Sequence, residues 1–271
     1  MTEQIRTKRN NKRSSKNKKW IIVFICAVIV MALVAGGLYL YFSDNNEMEE
    51  FYIEPAGTEN IADTRPENPI DFDKLWEINT DIYAWITIDG TNVDYPILQS
   101  TETSDEFYLK HDMYRNSSVY GSIYTEMANE KDFSDRVTLI YGHNMRNGSM
   151  FRTLHKFEDE EFFNEYDEIV IYMPGKKLTY KIYAAYQYDN RHILNSFDFD
   201  DDAVYAEYLK NSQNPYSMVK NTREVELDTD DRIIVLSTCT SSNAYRYLVH
   251  AVLISEEETK VPATTADVTT Q

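Results

Sequence analysis

Between residues 84 and 254, apolar and polar positions mostly alternate in short segments that are separated by turn residues. Alternation with a period of two is typical of β-strands that bury one face. The pattern predicts eight strands, at residues 84–88, 92–98, 121–124, 137–141, 168–173, 177–188, 232–238 and 245–254. A Met-Pro-Gly-Lys turn at 173–176 predicts a hairpin between the fifth and sixth. Many short strands with few helices favour a closed or nearly closed barrel, because closure removes exposed sheet edges.

Three segments show helical spacing instead. The first, residues 71–83, has apolar residues three and four positions apart, and Asp71 can cap its first turn. The other two, 149–157 and 202–212, follow the fourth and sixth predicted strands. We therefore expect a mainly β domain with an N-terminal helix and two helical insertions, the second of them between the sixth and seventh strands.

Residues 20–42 are apolar and contain no charged side chain. At about 1.5 Å per residue, a helix of this length crosses a bilayer core of about 30 Å. Residues 1–19 hold eight basic residues and one acidic residue, so the positive-inside rule predicts a cytoplasmic N-terminus and an extracellular body. The apolar run is longer than that of a signal peptide and ends in aromatic residues, which favours a retained membrane anchor over a cleaved leader.

The composition of the segments on either side of the predicted domain indicates a linker before it and a tail after it. The segment 43–69 is acidic, contains three of the seven prolines and has no apolar period, so it is interpreted as an extracellular linker. A folded domain follows at 70–255. Residues 256–271 consist largely of Thr, Ala and Glu, which predicts a flexible C-terminal tail.

The charge and the cysteine content of the chain exclude one class of partner and indicate one candidate catalytic residue. The whole chain carries a formal charge of −18, and residues 43–271 carry 19 basic against 44 acidic residues, a net of −25. Nucleic acid is therefore excluded as a partner of this part, because phosphate contacts need clustered Lys and Arg. Of the two cysteines, Cys26 lies in the apolar segment and Cys239 near the far end of the body, so no disulfide between them is expected. A lone extracellular thiol makes Cys239 the first candidate for chemistry.

Cys239 ends an apolar strand, and after a short polar loop a second apolar strand begins near Arg246. A nucleophile at a strand end is held rigidly while it stays open to substrate. An antiparallel return brings Arg246 towards the sulfur, where a guanidinium favours thiolate or holds a developing oxyanion. An ordinary hairpin with a buried cysteine and a solvated arginine is the alternative. Ser237 and Thr238 are candidates for the substrate site because they precede the thiol in sequence.

A histidine occupies a similar position at the end of the fourth strand. His143 follows Gly142 at the start of a glycine-flanked loop, and imidazole is the natural proton-transfer partner of a nucleophilic thiol. The other four histidines are interpreted as surface or packing residues: His111, His155, His192 and His250. There is no Cys-x-x-Cys pair, phosphate-binding glycine loop or paired-histidine motif, so neither a cofactor nor a metal is predicted.

These residues together resemble a known family. Leu236-Ser-Thr-Cys239 followed by Arg246 resembles the Leu-x-Thr-Cys…Arg signature of sortases, the membrane-anchored cysteine transpeptidases of Gram-positive bacteria. The segments 140–151 and 85–99 resemble motifs of the class B branch, and the similarity runs from about residue 72 to 254. Val235 stands where the family often has Thr. The interval of seven residues from Cys239 to Arg246 is shorter than in many relatives, which predicts a tight loop.

The resemblance implies an eight-stranded sortase barrel over residues 70–255, with Cys239 as nucleophile, His143 as general acid and base, and Arg246 as the cation that orients substrate or stabilises an oxyanion. It also implies that the enzyme cleaves the C-terminal sorting signal of secreted proteins through a thioester and joins them to an amine of a peptidoglycan precursor at the membrane. The alternatives are a tethered cysteine protease that hydrolyses its thioester, a sortase that polymerises pili, and a non-enzymatic adhesion or scaffold domain.

Overall fold

The computed structural model describes residues 28–32, 48–53, 64–101, 104–242 and 244–260. The chain divides into two compact units, 1–50 and 51–271. The predicted cytoplasmic tail, Cys26 and most of the predicted membrane span lie outside the described residues; within that span, 28–32 are helical. Among the residues described, no helix combines the length and the hydropathy needed to cross a bilayer.

The second unit is built on antiparallel and parallel β-strands. Its strands are β1 (Ile82–Ile88), β2 (Val93–Gln99), β3 (Ile123–Thr125), β4 (Val137–Tyr141), β5 (Glu168–Met173), β6 (Lys176–Asp189), β7 (Lys220–Thr222), β8 (Ile233–Cys239) and β9 (Tyr245–Glu258). They are hydrogen-bonded in the order β5-β1-β2-β3-β4-β8-β9-β6-β7, and β6 also pairs with β5. Eight strands therefore form a closed barrel, as predicted. The short strand β7, which was not predicted, adds to β6 outside this ring.

The helices of this unit are short and lie in the connections between the strands or before the first strand. They are α1 (Phe72–Ile78), α2 (Glu160–Glu165), α3 (Ile193–Ser196) and α4 (Asp202–Gln213), with 3-10 helices at Phe107–Leu109 and Phe151–Glu158. The Asp71 carboxylate accepts a hydrogen bond from the Lys74 amide at 3.0 Å and so caps α1, as predicted. The predicted helix 71–83 is too long, because the chain becomes extended at Asn79 and then enters β1. The insertion after β4 is a 3-10 helix, and α4 lies between the sixth and seventh strands of the barrel, as expected.

Two apolar cores cover opposite faces of the strands that carry the candidate residues. Inside the barrel, Ile140 of β4 and Leu236 of β8 belong to a core of buried apolar side chains contributed by the other strands. On the outer face, Val235 and Leu248 pack beneath α4, to which Tyr208 belongs. Because both faces of β8 are buried, its sequence is a continuous apolar run instead of an alternation.

The folded unit extends beyond the predicted limits of 70 and 255. The Phe51 side chain is 1% exposed, and the Tyr52 hydroxyl donates to the Asp94 carboxylate at 2.6 Å. At the other end β9 continues to Glu258, and the Lys260 amide donates to the Pro66 carbonyl at 2.8 Å. These described parts of the predicted linker and tail thus pack on the barrel, through contacts between residues far apart in sequence that a local pattern does not reveal.

Candidate active site

The register of three neighbouring strands brings the candidate residues together. Parallel pairing of β4 with β8 sets Tyr141 opposite Ser237, and the Gly142 amide donates to the Ser237 carbonyl at 3.1 Å. Antiparallel pairing of β8 with β9 sets Cys239 opposite Arg246. His143, two residues after Tyr141, is therefore at the level of Cys239, two residues after Ser237. The tight loop after Cys239 is compatible with this pairing.

The alternation of side chains along these strands determines whether each residue lies on the outer or the inner face of the barrel. Val235 packs on the outer face of the barrel, and side chains of a strand alternate, so Ser237 and the half-buried Cys239 lie on that face too. Arg246 shares it, because residues directly opposite on paired strands point to the same side. Thr238 lies on the opposite face, towards the barrel interior, and is 2% exposed.

His143 is oriented by backbone groups. Its Nε2 atom lies 2.8 Å from the carbonyl oxygen of Leu109. A carbonyl only accepts hydrogen bonds, so Nε2 carries a hydrogen and Nδ1 is the nitrogen left for proton transfer in the neutral ring. The preceding Gly142 allows close packing, since a Cβ there would lie 2.6 Å from the ring of Phe151.

Three tyrosines lie near Arg246 or Cys239. Tyr188 pairs with Arg246 across β6 and β9. The rings of Tyr124 and Tyr141 stack at a centroid distance of 5.3 Å on β3 and β4. Burial, followed by the negative charge of Glu126, raises the pKa of both hydroxyls far above the ordinary value, while the charge of Arg246 lowers the pKa of Tyr141 slightly. These tyrosines are therefore neutral neighbours of the site.

Two side chains that the sequence did not single out contact the backbone of Cys239. The Asn144 side-chain amide donates to the Cys239 carbonyl at 2.6 Å, and His155 Nε2 lies 3.1 Å from the same oxygen. The interpretation of His155 as a surface or packing residue was therefore incomplete. The available signal was the position of Asn144 beside His143 and the pair His155 and Glu158 three residues apart.

Comparison with known proteins identifies the family. The sequence matches the sortase domain family over residues 86–254. The chain belongs to the sortase family. Sortases are cysteine transpeptidases, and the cysteine and histidine motifs that suggested the family both lie within the matched region.

Several relatives place this sortase in class B. It is 31% identical to Sortase B of Listeria monocytogenes over 216 residues, which cover 77% of this chain and 84% of that protein. The crystal structure of Clostridium perfringens sortase B superposes with a TM-score of 0.61 at 33% identity and covers 68% of this chain and 100% of that one. A substrate complex of Staphylococcus aureus sortase B gives a TM-score of 0.61 at 28% identity, with coverages of 68% and 85%.

A cavity of about 490 Å³ opens beside the histidine of this sortase. It is lined by Leu109, Lys110, Ser117, Ser118, Val119 and His143. A second cavity of the same volume lies between α1 and the β5–β6 hairpin and includes no residue of the site. Within the described part of the chain, no group of His, Cys, Asp or Glu side chains is arranged to hold a metal ion.

Proposed function

We propose that this sortase uses Cys239 as the nucleophile, His143 as general acid and base, and Arg246 as the cation at the acyl oxygen. Its substrate is the C-terminal sorting signal of a secreted protein, and its acceptor is an amine of a peptidoglycan precursor. One observation supports the assignment of roles: β8 and β9 pair Cys239 with Arg246, and His143 follows the end of β4, whose last residue Tyr141 pairs with Ser237 on β8.

The first half-reaction forms a thioester. The Cys239 thiolate attacks the carbonyl carbon of a Thr–Gly or Thr–Asn peptide bond, and the electron pair of the carbonyl moves to its oxygen. Arg246 stabilises this oxyanion, a type of contact whose loss typically costs about 10²- to 10³-fold in rate. When the intermediate collapses, the carbon–nitrogen bond breaks, and protonated His143 gives its Nδ1 proton to the leaving amine.

The second half-reaction runs the same steps in reverse with a different amine. The acceptor nitrogen attacks the thioester, His143 removes its proton, and the thiolate of Cys239 leaves. Because His143 serves both amines, the acceptor nitrogen occupies the position that the first amine left. The cavity beside His143 supports entry of the acceptor from that side. The thioester conserves acyl energy for the new amide bond.

The faces of β8 refine the proposed substrate contacts. Ser237 shares the outer face with Cys239, and although its side chain is only 6% exposed, this shared face keeps it as the candidate to contact the sorting signal. Thr238 points towards the interior and is almost fully buried, so its adjacency to the thiol no longer supports a substrate contact.

The sequence supports the proposed location. The basic segment 1–19 and the apolar segment 20–42 suit a single-pass anchor in the cell membrane, with the N-terminus in the cytoplasm and the catalytic domain outside. A sorting signal and a lipid-linked acceptor at the same surface would meet a tethered enzyme at high effective concentration.

The test is cleavage of quenched peptides by the full chain in detergent, with a library that varies the residues around a Thr–Gly or Thr–Asn bond. We expect cleavage of one motif, an acyl adduct on Cys239 in the mass spectrum, and a peptide–amine conjugate when amine is added. Cys239→Ala should show neither cleavage nor adduct, and undiminished cleavage by this variant would disprove the nucleophile. Hydrolysed peptide alone, at saturating amine, would favour the tethered protease.

A further inference from the structure

We propose that His155, oriented by Glu158, is a positioning residue for the nucleophile: together with Asn144 it holds the carbonyl group of Cys239 and thereby sets the direction in which the thiol leaves the strand. The inference rests on the proposed role of Cys239. It concerns a polar row on the 3-10 helix Phe151–Glu158, which packs at the end of the barrel beside β8.

The Cys239 carbonyl lies where the parallel strand pair ends. Hydrogen bonds of a parallel ladder are evenly spaced, so the bond from the Gly142 amide to Ser237 would be followed by one from the amide of residue 144 to Cys239. The backbone turns away at this point, because Asn144 forms an isolated bridge with Met150. The Asn144 side chain takes over as donor, at 2.6 Å from the Cys239 oxygen.

The 3-10 helix supplies the groups that hold this amide. A 3-10 helix has three residues per turn, so residues three apart line up on one face. Arg152, His155 and Glu158 form such a row. The Arg152 guanidinium donates to Asn144 Oδ1 at 3.1 Å, which fixes the orientation of the amide and turns its nitrogen towards Cys239.

His155 completes the connection. Its Nδ1 lies 2.6 Å from the Glu158 carboxylate, which only accepts, so Nδ1 carries a hydrogen. Its Nε2 lies 3.1 Å from both Asn144 Nδ2 and the Cys239 oxygen. When the ring is neutral, Nε2 accepts a hydrogen bond from the Asn144 side-chain amide and holds that amide in place. When the ring is protonated, Nε2 donates to the Cys239 carbonyl and holds the carbonyl directly.

The rest of the helix makes this row rigid. Phe151, Leu154 and Phe157 are fully buried in the interior core. The His155 ring also stacks on Tyr247, at a centroid distance of 4.8 Å, and Tyr247 pairs with Thr238 next to the nucleophile. His155 therefore contacts both strands of the site from a fixed support, which is the arrangement that a precisely held nucleophile needs.

The experiment compares variants of the full chain with a cleavable sorting peptide. His155→Phe keeps a ring against Tyr247 but removes both nitrogens, and we expect kcat to fall about 10- to 100-fold with KM within about twofold. His155→Gln, which retains a polar group, should recover part of this loss, and Glu158→Gln should lower kcat about threefold. Lys156→Gln is the control, because Lys156 lies on the same helix and bonds the Gly90 carbonyl away from the site.

A purely structural role predicts a different outcome, a lower melting temperature without a change in kcat of the folded enzyme. If His155→Phe is folded and its kcat is within twofold of the parent, the inference is wrong. If His155→Phe does not fold, the Glu158→Gln variant provides the test, because Glu158 is half-exposed and its replacement should not prevent folding. An unchanged kcat in Glu158→Gln would also overturn the inference. Failure of the proposed function itself is separate, because it appears as cleavage by Cys239→Ala.

Discussion

Arg246 and His250 lie four residues apart on the outer face of the same strand, in opposite environments. At Arg246 the strand has just begun, beside the end of β8, and the neighbouring Cys239 is only half-buried. At His250 helix α4 covers the strand, and the imidazole is fully buried among the rings of Tyr183, Tyr186 and Tyr208. The cover by α4, more than the residue type, thus separates a site for chemistry from a packed core.

Two histidines, His143 near the candidate site and His250 beneath α4, show what the cover by α4 does. His143 holds a backbone carbonyl with one nitrogen and borders an open cavity with its ring. His250 Nε2 lies 3.0 Å from the Tyr208 hydroxyl, and burial lowers the pKa of His250 to about 3. Since its charged form is so disfavoured, His250 does not exchange protons near neutral pH.

The largest predicted effect comes from replacing each of these two histidines in turn with glutamine. We expect His143→Gln to lower kcat by about 10³-fold, equivalent to about 4 kcal/mol, because general acid–base catalysis is lost. Its stability to urea should stay within about 0.5 kcal/mol of the parent. His250→Gln should do the opposite, with reduced stability and kcat within about threefold. Equal losses of kcat in both variants would remove the distinction between the two regions.

The support of His143 offers a sharper test. Gly121 has φ +57°, and a Cβ there would lie 2.7 Å from the carbonyl oxygens of Tyr108 and Leu109, the latter being the acceptor of His143. We expect Gly121→Ala to cost about 3 kcal/mol of stability, from backbone strain and displaced carbonyls, and to lower kcat about tenfold because the imidazole loses its fixed partner. Urea unfolding and peptide cleavage measure the two effects.

Gly175 is a matched control for this substitution. It has a similar φ of +76° but lies in the β5–β6 hairpin, away from the site. Gly175→Ala should therefore cost only about 1 kcal/mol of strain and leave kcat unchanged. A tenfold fall in kcat for Gly175→Ala as well would show that the effect of Gly121→Ala is not specific to His143.

The sequence predicted those features that local patterns encode. Alternation between turn residues located most of the barrel strands, β8 was marked by its apolar run, and Asp71 marked the start of α1. The three residues of β7, Lys-Asn-Thr, are polar and too few to show a period. The contacts of Asn144 and His155 with Cys239 depend on which strands are neighbours, and on a 3-10 geometry that the apolar spacing at 149–157 did not distinguish from an α-helix. Pairing between distant segments therefore accounts for most of what was missed.

The last prediction concerns the dependence of stability on pH. The pKa of His250 is about 3 in the folded protein and near 6.5 when the chain is unfolded. Between these values the unfolded chain binds one more proton, so stability falls as pH falls, by about 1.4 kcal/mol per unit below pH 6.5. We expect a loss of about 2 kcal/mol between pH 7 and pH 5, measured by urea unfolding.

His250→Gln isolates this contribution, because glutamine does not titrate. Side-chain hydrogen bonds lower the pKa of four carboxylates, which therefore affect stability mainly below pH 5: Asp132, Asp167, Asp189 and Glu256. The variant starts from a lower stability at pH 7, but it should lose little more by pH 5. If the stabilities of parent and variant decline in parallel over this window, His250 is not the source of the slope, and its burial beneath α4 does not disfavour the charged imidazole as inferred.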